Sequence, residues 1–230
     1  MTSEMRKIRF ILVGLGRCGS NLLKFALKQH PDIEMAGELF NRHVFPEALS
    51  EDGATRAAAF FNAHDKAAVG FKLFRHHARK GPPKSVWDYL SRDEDIRVIH
   101  LYRRNYFKRI LSWKIADKRG QWLADEHGTE DIRIELTADE WQALLELDAK
   151  KESFLDRTFQ GHPTIKLAYE DLVKNWEEQT QSLLSFLAVS ERPLQKKLKK
   201  QETKHPRDRC PNYPELVEHF ASTPYAWMFE

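Results

Sequence analysis

The sequence contains little cysteine, and this excludes two classes of protein. Only Cys18 and Cys210 occur among its 230 residues, which is too few for the disulfide framework of a small secreted domain. No group of Cys and His residues has the spacing of a zinc site, and the adjacent His76 and His77 do not form one by themselves. We therefore expect no metal and a reducing, cytoplasmic setting.

The sequence also lacks a long apolar run, a large net charge and a linker. No stretch approaches the ~20 apolar residues of a membrane span, and the start MTSEMRKIRF does not resemble a signal peptide. The balance of 37 basic against 34 acidic residues gives a net charge of only +3, so we expect no nucleic-acid partner. With no Pro/Gly/Ser-rich linker and no repeat, residues 1–230 are predicted to form a single domain.

Apolar segments that are typical of strands alternate with amphipathic segments that are typical of helices. This alternation predicts a single α/β domain with a mainly parallel central sheet and helices on both faces. The segment HPDIEMAGE is a poor strand by composition. The predicted strands lie at residues 8–13, 67–74, 95–103 and within 163–172, and the clearest predicted helices lie near 20–29, 85–93 and 137–159.

The segment FILVGLGRCGSNLLKFAL combines a strand, a glycine-rich turn and a helix. Its GLGRCG string, Gly14 to Gly19, fits both the dinucleotide-binding pattern and the first part of a nucleotide P-loop. Ser20 and Asn21 follow where a P-loop requires Lys and Ser/Thr, so Arg17 is the only strong cation in the loop. Backbone N–H groups at a helix N-terminus suit a phosphate or a sulfate. A tight turn without a ligand remains the alternative.

A second segment, IHLYRRNYFKRILSWKIA, also has the character of an anion site. Its strand ends in Arg103 and Arg104, and Ser112 follows Arg104 by eight residues, two turns into the next helix. A guanidinium and a hydroxyl so placed can bind one phosphate from different sides. A solvated basic helix start would explain the same residues. Both segments fall at the carboxyl edge of the predicted sheet, where ligands bind in such folds.

With these motifs the chain resembles the sulfotransferases that use 3′-phosphoadenosine 5′-phosphosulfate (PAPS). The resemblance implies that one segment binds the 5′-phosphosulfate end and that Arg104 and Ser112 bind the 3′-phosphate. The segment KLAYEDL is similar to a Tyr-Glu-Asp-Leu segment of the family. The bacterial carbohydrate sulfotransferases, including the nodulation-factor type, are more closely resembled by GELFN, GFKL and NYPELVEHFASTPYAWMF. Two residues depart from the family pattern, since Asn21 replaces a hydroxyl residue and Cys18 adds a thiol. The 5′-phosphosulfate segment comprises Arg17, Cys18, Gly19, Ser20 and Asn21.

The resemblance also implies a reaction. A sulfuryl group would pass in line from PAPS to a hydroxyl of an acceptor, either a carbohydrate or glycolipid or another small molecule, and adenosine 3′,5′-bisphosphate would leave. Arg17 would neutralise the bridging oxygen. Lys72 would be a second cation there, or else a surface lysine at a strand end.

Glu38 in GELFN is the predicted base that takes the proton of the acceptor. A surface glutamate is the alternative for Glu38. The histidines that compete for the same role are His76, His77 and His100.

Three other interpretations remain open at this point. An NADP-dependent dehydrogenase could use GLGRCG as a dinucleotide fingerprint with Glu34 on the ribose, and a P-loop kinase would lack its Lys. A non-catalytic anion-binding module could use the basic segment 192–209 as its binding surface. In a sulfotransferase, part of the same segment would instead fold over PAPS, with Lys204 and Arg207 as the candidate contacts. The acceptor pocket is predicted in residues 42–66 and 118–160, and the oligomeric state is not indicated. The tryptophans that could stack on a sugar are Trp113, Trp122 and Trp141.

Overall fold

A central parallel sheet organises the chain. The computed structural model describes residues 7–120, 122, 131–197 and 205–230. In this part of the chain five strands pair in parallel, in the order β2-β3-β1-β4-β5, which confirms the predicted α/β class. The strands are β1 (Ile8–Gly14), β2 (Ile33–Glu38), β3 (Ala68–Leu73), β4 (Arg97–Tyr102) and β5 (Thr164–Ala168).

The helices begin where the sequence supplies capping groups. The side chain of Asn105 accepts a hydrogen bond from the backbone N–H of Lys108, and that of Thr137 accepts one from the backbone N–H of Glu140, so both side chains cap a helix start. The helices are α1 (Ser20–Leu27), α2 (Gly53–Asn62), α3 (Ser85–Arg92), α4 (Tyr106–Arg119), α5 (Ala138–Thr158), α6 (Tyr169–Lys174), α7 (Trp176–Phe186), α8 (Pro206–Arg209) and α9 (Tyr213–Phe220).

Two compact units divide the chain. The first comprises residues 1–102 and 151–197 and holds the whole sheet, and the second comprises 103–150 and 198–230. None of the helices in the described ranges has the length and apolar character needed to cross a bilayer. The expectation of a single domain over residues 1–230 stays a prediction.

In the first unit, alternate strand residues build an apolar core on one face of the sheet. Ile11, Val13 and Phe71 lie on this face, because successive side chains of a strand point to opposite sides. They pack with Phe61 of α2 and Trp87 of α3, both buried. The opposite face meets α1, whose Asn21 bonds to the next residue along β3. Helices therefore cover both faces, as expected.

The second unit has a separate, aromatic core. Trp141 is fully buried there against the rings of Phe107, Phe220 and Phe229. A side chain so placed offers no exposed face to a sugar, which removes Trp141 from the candidate stacking residues. The buried Asn105 side chain, which caps α4, also donates to the Met228 carbonyl oxygen at 2.8 Å. Both the oxygen and the nitrogen of its amide are therefore hydrogen-bonded.

The segment judged a poor strand is in fact β2, and that judgement was wrong. Its Glu34 and Gly37 are residue types with low strand propensity. However, β2 lies at the edge of the sheet and pairs with β3 alone. Ile33 and Met35 are buried while Glu34 between them is half-exposed, so pairing and one-sided burial outweigh the local composition.

Candidate active site

The strand order places the loop after β1 at a position suited to ligand binding. Strands β2 and β3 lie on one side of β1, and strands β4 and β5 lie on its other side. The chain runs from β1 to the first side, and after β3 it crosses β1 to reach β4 on the second side. The direction of winding therefore reverses next to β1. Ligands of open parallel sheets bind in the crevice that this reversal leaves at the carboxyl ends of the strands.

The loop has a backbone that requires glycine at two positions. Gly14 has φ +149°, and a Cβ there would come within 2.1 Å of the Leu101 carbonyl oxygen. Gly19 has φ +87°, and a Cβ there would meet the Tyr169 ring at 2.6 Å. Arg17 also has a positive φ of 72°, a conformation that is uncommon outside glycine and is often found at functional sites.

Helix α1 begins directly after this loop without a capping side chain. Gly19 occupies the N-cap position, and the first turn contains no acidic residue. The first backbone N–H groups of a helix have no partners within it, and together with the helix dipole they favour an anion. Cys18 in the same loop is buried and is not part of a disulfide.

A buried lysine, a carboxylate and an amide meet beside this helix start. The Lys72 Nζ, at the end of β3, lies 3.0 Å from Glu38 Oε1 and 2.7 Å from Asn21 Oδ1. The Lys72 side chain is 2% exposed and that of Glu38 is 24% exposed. We call Asn21, Glu38 and Lys72 the ammonium cluster. All three residues were predicted site residues, and their contact was not predictable from the sequence.

An irregularity in β2 explains how Glu38 reaches Lys72. Along most of β2 the pairing is regular, and Ala36 lies opposite Phe71. The register then shifts, so that Glu38 rather than Gly37 lies opposite Lys72. Bulges of this kind re-aim a side chain next to an active site. Here the shift turns the Glu38 carboxylate to the sheet face that carries Lys72.

The charges of the ammonium cluster depend on one another. Burial alone would raise the pKa of Glu38, but Lys72, His77 and the Asn41 amide together hold it below its ordinary value. Burial lowers the pKa of Lys72, and the Glu38 carboxylate offsets part of this effect. Glu38 is therefore a carboxylate at neutral pH.

Two more polar side chains contact Glu38 on its other oxygen. Asn41 donates to Glu38 Oε2 at 2.6 Å, and His77 Nε2 lies 3.5 Å from the same atom. Burial, with the nearby His76, lowers the pKa of His77 to about 3, so this imidazole is neutral at neutral pH. Asn41 was missed, although its place three residues after Glu38 in GELFN was a usable signal.

Comparison with known proteins connects this geometry to a family. No protein-family model matches the chain. Nodulation protein H from Rhizobium tropici is 26% identical to it over 233 residues, which cover 96% of this chain and 92% of the relative. Nodulation protein H from Rhizobium meliloti is 25% identical over 235 residues, covering 96% and 94%.

Solved structures agree on the fold. The sulfotransferase from Alicyclobacillus acidocaldarius matches with a TM-score of 0.55 and 18% identity, over 97% of this chain and 94% of the other. The sulfotransferase domain from the curacin biosynthetic pathway matches with a TM-score of 0.53 and 17% identity, over 97% and 94%. The chain is similar to nodulation protein H over nearly its whole length and shares its fold with sulfotransferases.

The predicted site residues of the chain fall into three groups. The phosphate-loop residues run directly into Asn21 of the ammonium cluster, and both belong to the first compact unit. Arg104, exposed, and Ser112, half-buried on α4, belong to the second unit, and their predicted role at a 3′-phosphate stays a prediction. Lys204 lies outside the described residues.

The histidines that compete with Glu38 for the role of base occupy different environments. His76 is exposed and neighbours His77, whose side chain is buried. His100 is buried within β4, where its Nε2 lies 2.5 Å from Glu152 Oε2 and its Nδ1 lies 3.5 Å from Asp156. These contacts hold the His100 ring at both nitrogens, as expected for a structural residue.

Proposed function

We propose that this protein is a sulfotransferase that uses PAPS as donor and a hydroxyl group of a carbohydrate or glycolipid as acceptor. The observation that carries the proposal is the ammonium cluster beside the phosphate loop. It combines, at one edge of the sheet, a buried cation, an ionised carboxylate and a helix start suited to an anion. Transfer of a sulfuryl group from a phosphate to a hydroxyl requires groups of these three kinds.

The residues of the loop fit the anionic end of PAPS. The positive φ values of Arg17 and Gly19, the uncapped start of α1 and the absence of a first-turn carboxylate all favour a bound anion there. Arg17 and the backbone N–H groups of Gly19 and Ser20 would hold the 5′-phosphosulfate. When bound, PAPS supplies a sulfuryl group whose S–O bond to the 5′-phosphate breaks as a bond to the acceptor oxygen forms, leaving adenosine 3′,5′-bisphosphate.

Glu38 would take the proton that the acceptor hydroxyl loses. Its pKa is held below the ordinary value, so the carboxylate is ionised at neutral pH and able to accept. Asn41 donates to Oε2 and Lys72 to Oε1, which orients the carboxylate. His77, with a pKa of about 3, is a much weaker base than an ordinary histidine, which removes the advantage that an imidazole would have for the role.

Lys72 and Arg17 would stabilise the negative charge that grows on the leaving oxygen. Lys72 is almost fully buried, and a fixed charge in a site shielded from water acts more strongly than one in solvent. No metal enters this proposal. In the described ranges no group of three His, Cys, Asp or Glu residues is arranged to hold one, and metal independence stays a prediction.

The strand order speaks against the dehydrogenase interpretation. In the dinucleotide-binding fold the second strand lies next to the first, which brings its terminal acidic residue to the ribose. Here β3 lies between β1 and β2. Glu34 also lies near the start of β2, opposite Val69, and not at its carboxyl end.

Ligand-dependent thermal unfolding tests the proposal without knowledge of the acceptor. Adenosine 3′,5′-bisphosphate at about 100 times its dissociation constant should add about 2.7 kcal/mol to the free energy of unfolding, or about 5–11 °C in Tm. NADP and ATP at equal concentration are the controls and should add much less. Stabilisation by NADP alone would overturn the proposal.

The acceptor class needs a separate experiment. Transfer of ³⁵S from labelled PAPS should be measured with oligosaccharides, glycolipids and simple alcohols at matched hydroxyl concentration. We expect product with the first two classes, and transfer to simple alcohols alone would move the acceptor outside carbohydrates. A cytoplasmic location is part of the proposal and accords with two cysteines outside any disulfide, Cys18 and Cys210.

A further inference from the structure

Asn21 occupies the position of the phosphate loop at which the sulfotransferase pattern has a second Ser or Thr. Its amide oxygen accepts a hydrogen bond from Lys72 Nζ at 2.7 Å. That oxygen is an acceptor only and bonds to Lys72, so the Asn21 side chain could reach a phosphate oxygen only through the N–H donors of its Nδ2. The side chain of Asn21 thus contacts the cation that faces the anion site.

Lys72 needs such a partner, because its ammonium group is nearly excluded from water. An ammonium has three N–H donors. Glu38 Oε1 and Asn21 Oδ1 accept two of them. Among the described residues no further oxygen is within hydrogen-bonding distance of Lys72 Nζ, so one donor remains for a ligand atom.

The two partners of Lys72 differ in how they respond to the reaction. Glu38 loses its charge when it takes a proton, and its attraction for Lys72 then falls. The amide of Asn21 does not titrate, so its hydrogen bond persists through that step. A neutral acceptor also holds the ammonium without cancelling its charge, whereas a second carboxylate would leave the cluster with a net negative charge.

We propose that Asn21 is a positioning residue that orients the Lys72 ammonium toward the leaving oxygen, and that it does not bind the phosphate itself. This inference rests on the proposed function. It replaces the direct PAPS-binding role that the sequence pattern suggested for Asn21. Serine at this position would carry its oxygen one atom closer to the backbone and would not reach Lys72 in the same geometry.

The first test needs no ligand. Lysines labelled with ¹³C at Cε are followed by NMR through a pH titration, and the Lys72 signal is assigned with Lys72→Arg. In Asn21→Ala the pKa of Lys72 should fall below its wild-type value, and in Asn21→Asp it should rise above it. Asn62→Ala, at the exposed end of α2, is the matched control and should leave the titration unchanged. An unchanged Lys72 titration in both Asn21 variants overturns the inference.

The second test is a double-mutant cycle on the affinity for adenosine 3′,5′-bisphosphate, measured by calorimetry. Asn21→Ala should weaken binding about tenfold in the wild-type background, as expected for a hydrogen bond to a charged group, and less than about twofold in Lys72→Met. Equal losses in both backgrounds would mean that Asn21 binds the nucleotide directly. If the wild-type protein does not bind this nucleotide, the proposed function fails, and the lysine titration still decides the role of Asn21.

Discussion

Acid should destabilise this protein through one buried imidazole, His77. The His77 side chain is 7% exposed, and its pKa falls from 6.5 to about 3 on folding. Between these values the unfolded chain binds a proton that the folded protein excludes, so stability falls as the pH drops below 6.5. From pH 7 to pH 5 this residue alone should remove about 2 kcal/mol of unfolding free energy, or about 4–8 °C of Tm.

Urea unfolding at pH 7 and pH 5 measures this loss. In His77→Gln, which cannot titrate, the loss between the two pH values should be about 2 kcal/mol smaller than in the wild-type protein. His219→Gln removes an exposed imidazole from α9 and is the matched control, expected to keep the wild-type loss. Equal pH dependence in His77→Gln and the wild-type protein would refute the assignment of a buried, neutral His77.

Three further predictions concern the proposed reaction. Glu38→Gln should bind adenosine 3′,5′-bisphosphate normally but lose about 10²–10⁴ in turnover of ³⁵S-PAPS, and a variant that keeps more than about a tenth of the wild-type rate would move the base elsewhere. Arg17→Ala should lose about 10²–10³ in turnover with an unchanged circular dichroism spectrum, and near-normal turnover would contradict its role. Arg104→Ala and Ser112→Ala should each weaken calorimetric binding of adenosine 3′,5′-bisphosphate by about 1.5–3 kcal/mol and affect adenosine 5′-phosphate much less, whereas equal losses for both ligands would exclude a 3′-phosphate site.

The sheet was predictable because most of its strands carry dense apolar runs. Strands β1, β3 and β4 are buried on both faces, which leaves a continuous signal in the sequence. Strand β2 carries no such run, because an edge strand needs only one buried side. The fold class followed from the strong strands, and the missing strand could be found only through its pairing with β3.

The candidate site was predictable in its residue types but not in its contacts. Glu38 and Lys72 are 34 residues apart, and the register shift that brings them together leaves no mark in either segment. The low pKa of His77 depends on burial by residues from several elements, which a local pattern does not encode. For Asn21 the sequence showed that the residue differs from the Ser or Thr of the sulfotransferase pattern. Its hydrogen bond to Lys72 became visible only in the structure.

The bulge in β2 absorbs one residue, Gly37, and so keeps Glu38 opposite Lys72. A Cβ at Gly37 would meet nothing closer than Lys24 Nζ at 3.9 Å, so a methyl group fits. Regular pairing of the present strand would turn the carboxylate of Glu38 to the face where Phe71 and Leu73 pack. Deletion of Gly37 would instead give regular pairing with Glu38 still opposite Lys72, so an aligned homologue one residue shorter here could keep its acid at the same place.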